Sequence, residues 1–124
     1  MLKGSLVLVA EDQTFIALDL ALAIEDAGGE VAGPVASVKN ALVLIETRPI
    51  TAAILDSNLT DGDITPVAML LLSADIPVII QSGVGIPLEL AMHFPELIVY
   101  IKPYVADDLV AKLASLIEVK RMRS

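Results

Sequence analysis

The chain has 124 residues and a formal net charge of −8, from 16 Asp and Glu against 8 Lys and Arg. That acidity, with a pI near 4.4, argues against a nucleic-acid binder, which needs clustered cations to displace phosphate counterions. No Cys and a single His, His93, exclude a disulfide framework, a zinc–thiolate site, a cysteine nucleophile and a multi-histidine metal site.

In chain order, Leu6-Val7-Leu8-Val9-Ala10 is a near-continuous apolar run that predicts a buried strand, ended by Glu11 and Asp12. Residues 15–27 carry Phe15, Leu18, Leu22 and Ala23 at helical spacing, and Gly28-Gly29 stops that helix. Residues 30–34 form a weaker strand. Ser37 is the N-cap of a helix reaching about Thr47, with Pro49 beyond its end. Residues 51–55 are a second strong strand that runs into Asp56. A polar turn over 58–62 leads to a helix over about 63–73. Residues 77–80 are a strand, followed by Gln81-Ser82-Gly83. Pro87 suits the first turn of a short helix over 87–93, where its missing N–H costs nothing. The last strand, 97–101, precedes Lys102-Pro103, and an amphipathic helix over 105–121 closes the pattern. The basic tail Lys120-Arg121-Met122-Arg123 sits where cations favour a helix C-terminus.

The mean hydropathy of +0.77 raises a membrane reading, which the sequence then rejects. The most apolar region, 64–92, is broken by Pro66, Asp75, Pro77, Gln81, Gly83, Gly85, Pro87 and Glu89. A spanning helix needs roughly 20 mostly apolar residues without such breaks. The run Leu6 to Ala10 is shorter than the apolar region of a secretory signal, about 7–15 residues. The expectation is a cytoplasmic protein, one domain over residues 1–124, with no membrane or nucleic-acid partner. Five β–α repeats with continuous apolar strands predict an α/β fold with a parallel sheet covered on both faces.

In such sheets ligands bind beyond the carboxyl ends of the strands. Glu11 and Asp12 follow the first strand, Asp56 the third, Ser82 the fourth and Lys102 the fifth. Three carboxylates in one place repel one another unless a cation is present. Oxygen ligands without His or Cys suit Mg2+, with Mn2+ as an alternative. A carboxylate can attack phosphorus, and Lys102 and Ser82 could then hold phosphoryl oxygens. Each residue alone has an ordinary reading. Glu11-Asp12 could be an acidic first helical turn, Lys102 a surface lysine and Ser82 a helix cap. It is the convergence of all five that carries information.

The runs Val7-Leu8-Val9-Ala10-Glu11-Asp12 and Ala53-Ile54-Leu55-Asp56-Ser57-Asn58-Leu59-Thr60-Asp61-Gly62, then Ser82-Gly83 and Lys102-Pro103-Tyr104, resemble a response-regulator receiver domain of the CheY-like, two-component type. The resemblance spans nearly the whole chain. It implies a flavodoxin-like, doubly wound (βα)5 fold with five parallel strands in the order 2-1-3-4-5. It implies that Asp56 is the phosphoacceptor and that Asp12 and Asp56 ligate Mg2+ directly, with the Asn58 main-chain carbonyl. Glu11 would act through water. Ser82 would bond a phosphoryl oxygen, Lys102 would pair with the phosphoryl group, and Gly83 would leave room for it. Pro103 would follow a cis bond. The implied donor is a histidine kinase or histidine phosphotransfer protein, contacted near Thr14, Phe15 and Asp19, and the output is an unidentified downstream protein. Such a protein catalyses only its own phosphorylation and dephosphorylation, and signals by docking or serves as a phosphate shuttle or sink.

The chain departs from the family in three places. Thr60 stands where proline is frequent, which bears on loop stiffness. Val99 stands where the family places a switch aromatic, and Tyr100 lies beside it on the opposite strand face. The expected route of activation is therefore motion of Gly83-Val84-Gly85. The fourth helix is confined by Pro87 and Pro95, and Leu88, Ala91, Met92 and Phe94 are either core or an apolar contact surface. Asn58 and Val84 lie where the family tunes dephosphorylation. Two other readings stay open: a pseudo-receiver that binds partners without phosphotransfer, and a phosphatase of the haloacid dehalogenase type. The second lacks its general acid, because Asn58 stands in that place.

Overall fold

The computed structural model describes residues 1–123. Seven strands and five helices follow one another: β1 (Leu6–Ala10), α1 (Thr14–Asp26), β2 (Glu30–Val35), α2 (Val38–Thr47), β3 (Ala52–Asp56), β4 (Asn58–Leu59), β5 (Gly62–Asp63), α3 (Thr65–Ser73), β6 (Val78–Ser82), α4 (Leu88–His93), β7 (Ile98–Ile101) and α5 (Ala106–Arg123). Five strands form one parallel sheet in the order β2-β1-β3-β6-β7. Counting only these long strands, this is the order 2-1-3-4-5, a flavodoxin-like doubly wound fold.

Burial explains why the central strands are near-continuous apolar runs and why the strand at residues 30–34 reads weakly. All residues of β1, β3 and β6 are buried, so apolar side chains are required on both faces. The edge strands β2 and β7 are largely half-buried or exposed; β2, with Glu30, Gly33 and Pro34, reads more weakly, whereas β7 keeps an apolar run. Strand side chains alternate between faces, which divides the core in two. Leu8, Ala53, Leu55 and Ile80 pack with Ala41 of α2, Val67 and Leu71 of α3, and Leu90 of α4. Val7, Val9, Ile54 and Ile79 pack with Leu20 and Ile24 of α1 and with Leu109 and Leu113 of α5.

Local signals fix the ends of the elements. Gly28 takes a φ of +88° just past α1, a conformation that favours glycine. Ser37 caps α2, its hydroxyl accepting from Asn40 N at 3.1 Å. A second cap comes from far along the chain. The Asp61 carboxylate accepts from Val38 N at 2.6 Å and from Lys39 N at 3.1 Å.

Two local expectations are revised. The segment read as a polar turn over 58–62 contains an antiparallel hairpin, pairing Asn58 with Asp63 and Leu59 with Gly62. Leu59 is buried and anchors it, while Thr60 and Asp61 form the tip. Pro87 lies one residue before α4 with an extended ψ of 137°, so it precedes the first turn. The bonds before Pro34 and Pro103 are cis. Among the described residues, no helix is long and apolar enough to cross a membrane.

Candidate functional site

Parallel pairing in register brings strand ends level at one edge of the sheet. Ala10 lies beside Leu55, Asp56 beside Gln81, and Ser82 beside Ile101. The residues that follow these ends must therefore meet. One carboxylate oxygen each from Glu11, Asp12 and Asp56 lies within 4.8 Å of the other two. Glu11 and Asp56 are buried, whereas Asp12 is exposed. All three donors are hard oxygens, a set that fits Mg2+ and leaves room for further oxygen ligands.

Lys102 anchors the cluster. Its Nζ lies 3.1 Å from Glu11 Oε1 and 3.2 Å from Asp56 Oδ2, and it donates to Gln13 Oε1 at 3.2 Å. Three ammonium protons thus face three acceptors. Its backbone N–H donates to Ser82 O at 2.8 Å, which holds the end of β7 against β6. The Asn58 N–H donates to Asp56 Oδ1 at 3.2 Å.

The two buried carboxyls titrate in opposite directions. Burial, reinforced by neighbouring Glu11, pushes the Asp56 carboxyl up to about 6. Burial also opposes ionisation of Glu11, but donors from Gln13 N, Gln81 and Lys102 outweigh it and hold its carboxyl below the ordinary value. The first proton to bind therefore sits on Asp56. Burial alone would lower the Lys102 ammonium, but bonds to Glu11 and Asp56 and their charges raise it.

Ser82 lies at the same edge, and its hydroxyl is occupied. It accepts from Ser57 Oγ at 2.7 Å, from Val84 N at 3.1 Å and from Gly85 N at 3.0 Å. It donates to Gly85 O at 2.5 Å. Gly83 is exposed beside it, and a Cβ there would meet nothing within 4 Å. Asn58 stands just beyond Asp56, its side chain donating to Ser57 Oγ at 3.4 Å.

Four polar residues at this edge carry contacts that sequence reasoning does not assign: Gln13, Ser57, Gln81 and Tyr104. Gln81 is wholly buried; its Nε2 donates to Glu11 Oε1 at 2.6 Å and its Oε1 accepts from Tyr104 OH at 3.1 Å. An uncharged amide directly after the apolar run Val78-Ile79-Ile80 of a buried strand is the available signal, because such a group is costly to bury without partners. Val99 packs with the α2–α3–α4 side of the core and Tyr100 with the α1–α5 side. Tyr100 meets Tyr104 edge-on, with centroids 6.2 Å apart and planes at 77°. On the flanking surfaces, Thr14, Phe15 and Asp19 are exposed, as are Leu88 and Met92, while Phe94 packs into the core. The His93 ring stays within 3.0 Å of the Glu89 carbonyl of its own helix.

The chain is similar to SdrG from Sphingomonas melonis Fr1, with 33% identity over 92% of this chain and 96% of that one, at a TM-score of 0.76. It is similar to the response regulator PhyR from Brucella abortus at 26% identity, covering 98% of this chain and 51% of that one, at a TM-score of 0.76. A CheY-like response regulator receiver domain protein from Methanospirillum hungatei JF-1 shares the fold over the full length of both chains, at a TM-score of 0.84 and 22% identity. No protein-family model matches the chain, and no curated protein matches it in sequence.

Proposed function

Because the chain belongs to the response-regulator receiver family, we propose that it accepts a phosphoryl group on Asp56 from a phosphohistidine. The donor is a histidine kinase or a histidine phosphotransfer protein. The observation that carries this reading is the geometry at Asp56. A buried carboxylate lies 3.2 Å from the Lys102 ammonium, with the oxygens of Glu11 and Asp12 in reach of one cation.

Mg2+ would be held by the Asp12 and Asp56 carboxylates and the Asn58 main-chain carbonyl, with Glu11 acting through water. When bound, the cation would screen the carboxylates from one another and draw charge from the phosphoryl oxygens. The remaining chemistry belongs to the chain. A carboxylate oxygen of Asp56 forms the new bond to phosphorus. The P–N bond to the donor imidazole breaks, and its electron pair stays on the imidazole nitrogen. Lys102 stabilises charge on the phosphoryl oxygens in transfer. No substrate other than the phosphodonor is turned over.

Ser82 explains how the event would reach the surface. Its hydroxyl cannot turn to a phosphoryl oxygen without releasing Gly85 O, and its bonds to Val84 N and Gly85 N tie the loop to that movement. With Val99 in place of a switch aromatic, the 83–85 loop is the route to a downstream partner. The protein then signals by docking or passes the phosphate on. Intact mass spectrometry after treatment with acetyl phosphate and Mg2+ tests the reading. One phosphate adduct is expected in the wild type and none in Asp56→Asn. An adduct that persists in the variant overturns the site.

A further inference from the structure

Gln81 sits on β6 beside Asp56 of β3 and is 0% exposed. Its amide spans two partners, and chemistry fixes which end meets which. A carboxylate only accepts, so the –NH2 end must face Glu11 and the carbonyl end must face away from it. The carbonyl end then needs a donor, which Tyr104 OH supplies at 3.1 Å. Tyr104 is in turn braced edge-on by Tyr100. The result is a directed chain, Tyr104 to Gln81 to Glu11, that reaches the acidic cluster from the α5 side of the sheet.

We propose that Gln81 is the positioning residue of the metal site, holding the Glu11 carboxylate towards the cluster, and that Tyr104 fixes the Gln81 amide in that orientation. The inference rests on the Mg2+-dependent reading above. Two observations favour a role beyond packing. Glu11 Oε1 has two donors, Gln81 and Lys102. Without Gln81, that oxygen would draw more heavily on the Lys102 ammonium, which also serves Asp56 and Gln13. Gln81 therefore secures Glu11 and leaves Lys102 available to Asp56. A buried amide also costs more than an apolar side chain of the same volume unless both ends are paired, and here both are. Residues that orient a metal's direct ligands typically contribute 10–100-fold to its affinity, and with Glu11 acting through water the lower end of that range is expected.

The test compares wild type, Gln81→Met and Tyr104→Phe. Methionine keeps the length and volume of glutamine without its donor, and phenylalanine removes only the hydroxyl. Calorimetric titration with MgCl2 alone should show Kd raised about 10-fold in Gln81→Met and several-fold in Tyr104→Phe. In the 15N-labelled wild type, the Gln81 side-chain amide resonances should move during the same titration. Kd values within twofold of wild type in both variants overturn the proposal, as does a Gln81 amide signal that Mg2+ leaves in place. If Gln81→Met fails to fold by circular dichroism, Tyr104→Phe and the wild-type amide signals decide. A wild type that binds no Mg2+ overturns the functional reading and this inference together. A wild type that binds Mg2+ and is phosphorylated, with unchanged variants, overturns this inference alone.

Discussion

The Ser57 hydroxyl donates to the Ser82 hydroxyl across 2.7 Å, joining the residue after the proposed acceptor to the residue that ends the neighbouring strand. Both side chains are buried. Ser82 in turn holds the backbone of Val84 and Gly85, so one hydroxyl gathers the end of β3 and the 83–85 loop.

This arrangement separates the two serines by mutation. Ser57→Ala removes the buried bond to Ser82 and the long bond from Asn58 but leaves the loop bonds of Ser82 intact, so it should cost about 1 kcal/mol. Ser82→Ala takes a partner from the buried Ser57 hydroxyl, from two N–H groups and from one carbonyl, and should cost about 2 kcal/mol or more. Urea unfolding curves measure both. Phosphorylation by acetyl phosphate should slow markedly in Ser82→Ala and by less than threefold in Ser57→Ala.

The raised Asp56 carboxyl makes stability depend on pH in a defined direction. Its folded value, about 6, lies above its unfolded value of 3.8. The folded state therefore binds more protons within this window, and stability falls as pH rises through it. Above about pH 6 the penalty is complete; below about pH 4 it is absent. Asp56→Asn removes it and should be more stable than wild type by about 2 kcal/mol at pH 7, at low salt without Mg2+. The difference between the two proteins should vanish near pH 3.5. Glu11, held below its ordinary value partly by its bond with Asp56, contributes in the opposite sense, so the comparison reads the coupled pair and not Asp56 alone. Chemical denaturation across pH 3.5–8 checks this. Added Mg2+ should raise the Tm of the wild type and narrow its gap to Asp56→Asn, because a ligand of the folded state stabilises it.

Asp61 links the β4–β5 hairpin to the start of α2. Its two backbone bonds, to Val38 N and Lys39 N, hold its carboxyl below the ordinary carboxylate value. This contribution is present above the unfolded value and is lost as pH falls through the folded one. Asp61→Ala should lower Tm at pH 7 and lose its effect in acid. Amide exchange at Val38 and Lys39 should quicken in the variant, while Ala41 N, bonded to Ser37 O, changes less.

Much of the architecture is legible in the amino-acid sequence. The runs Leu6 to Ala10 and Thr51 to Leu55 read as strands because central parallel strands need apolar side chains on both faces. Ser37 reads as a cap because its oxygen reaches a backbone N–H only a few residues away. The edge strand over 30–35 is harder, since much of its surface is exposed and has no packing requirement. The Asn58–Asp63 hairpin is not legible as strands, because two-residue strands leave no periodicity.

The site divides the same way. Glu11, Asp12, Asp56, Ser82 and Lys102 stand out because each lies at or just beyond a strand end, and strand ends in a parallel sheet share one edge. Their types and order are enough to place three carboxylates, a hydroxyl and an ammonium at that edge. Partnerships are not legible, because a hydrogen bond depends on distance in space and leaves no trace in local spacing. Gln81 meets Glu11 across 70 positions of sequence, and Asp61 reaches Val38 across 23. Residue types, periodicity and strand ends settle the fold and the acidic edge. Packing of the sheet against α1 and α5 decides that Gln81 and Tyr104 stand behind Glu11, and that Ser82 is held by its own loop.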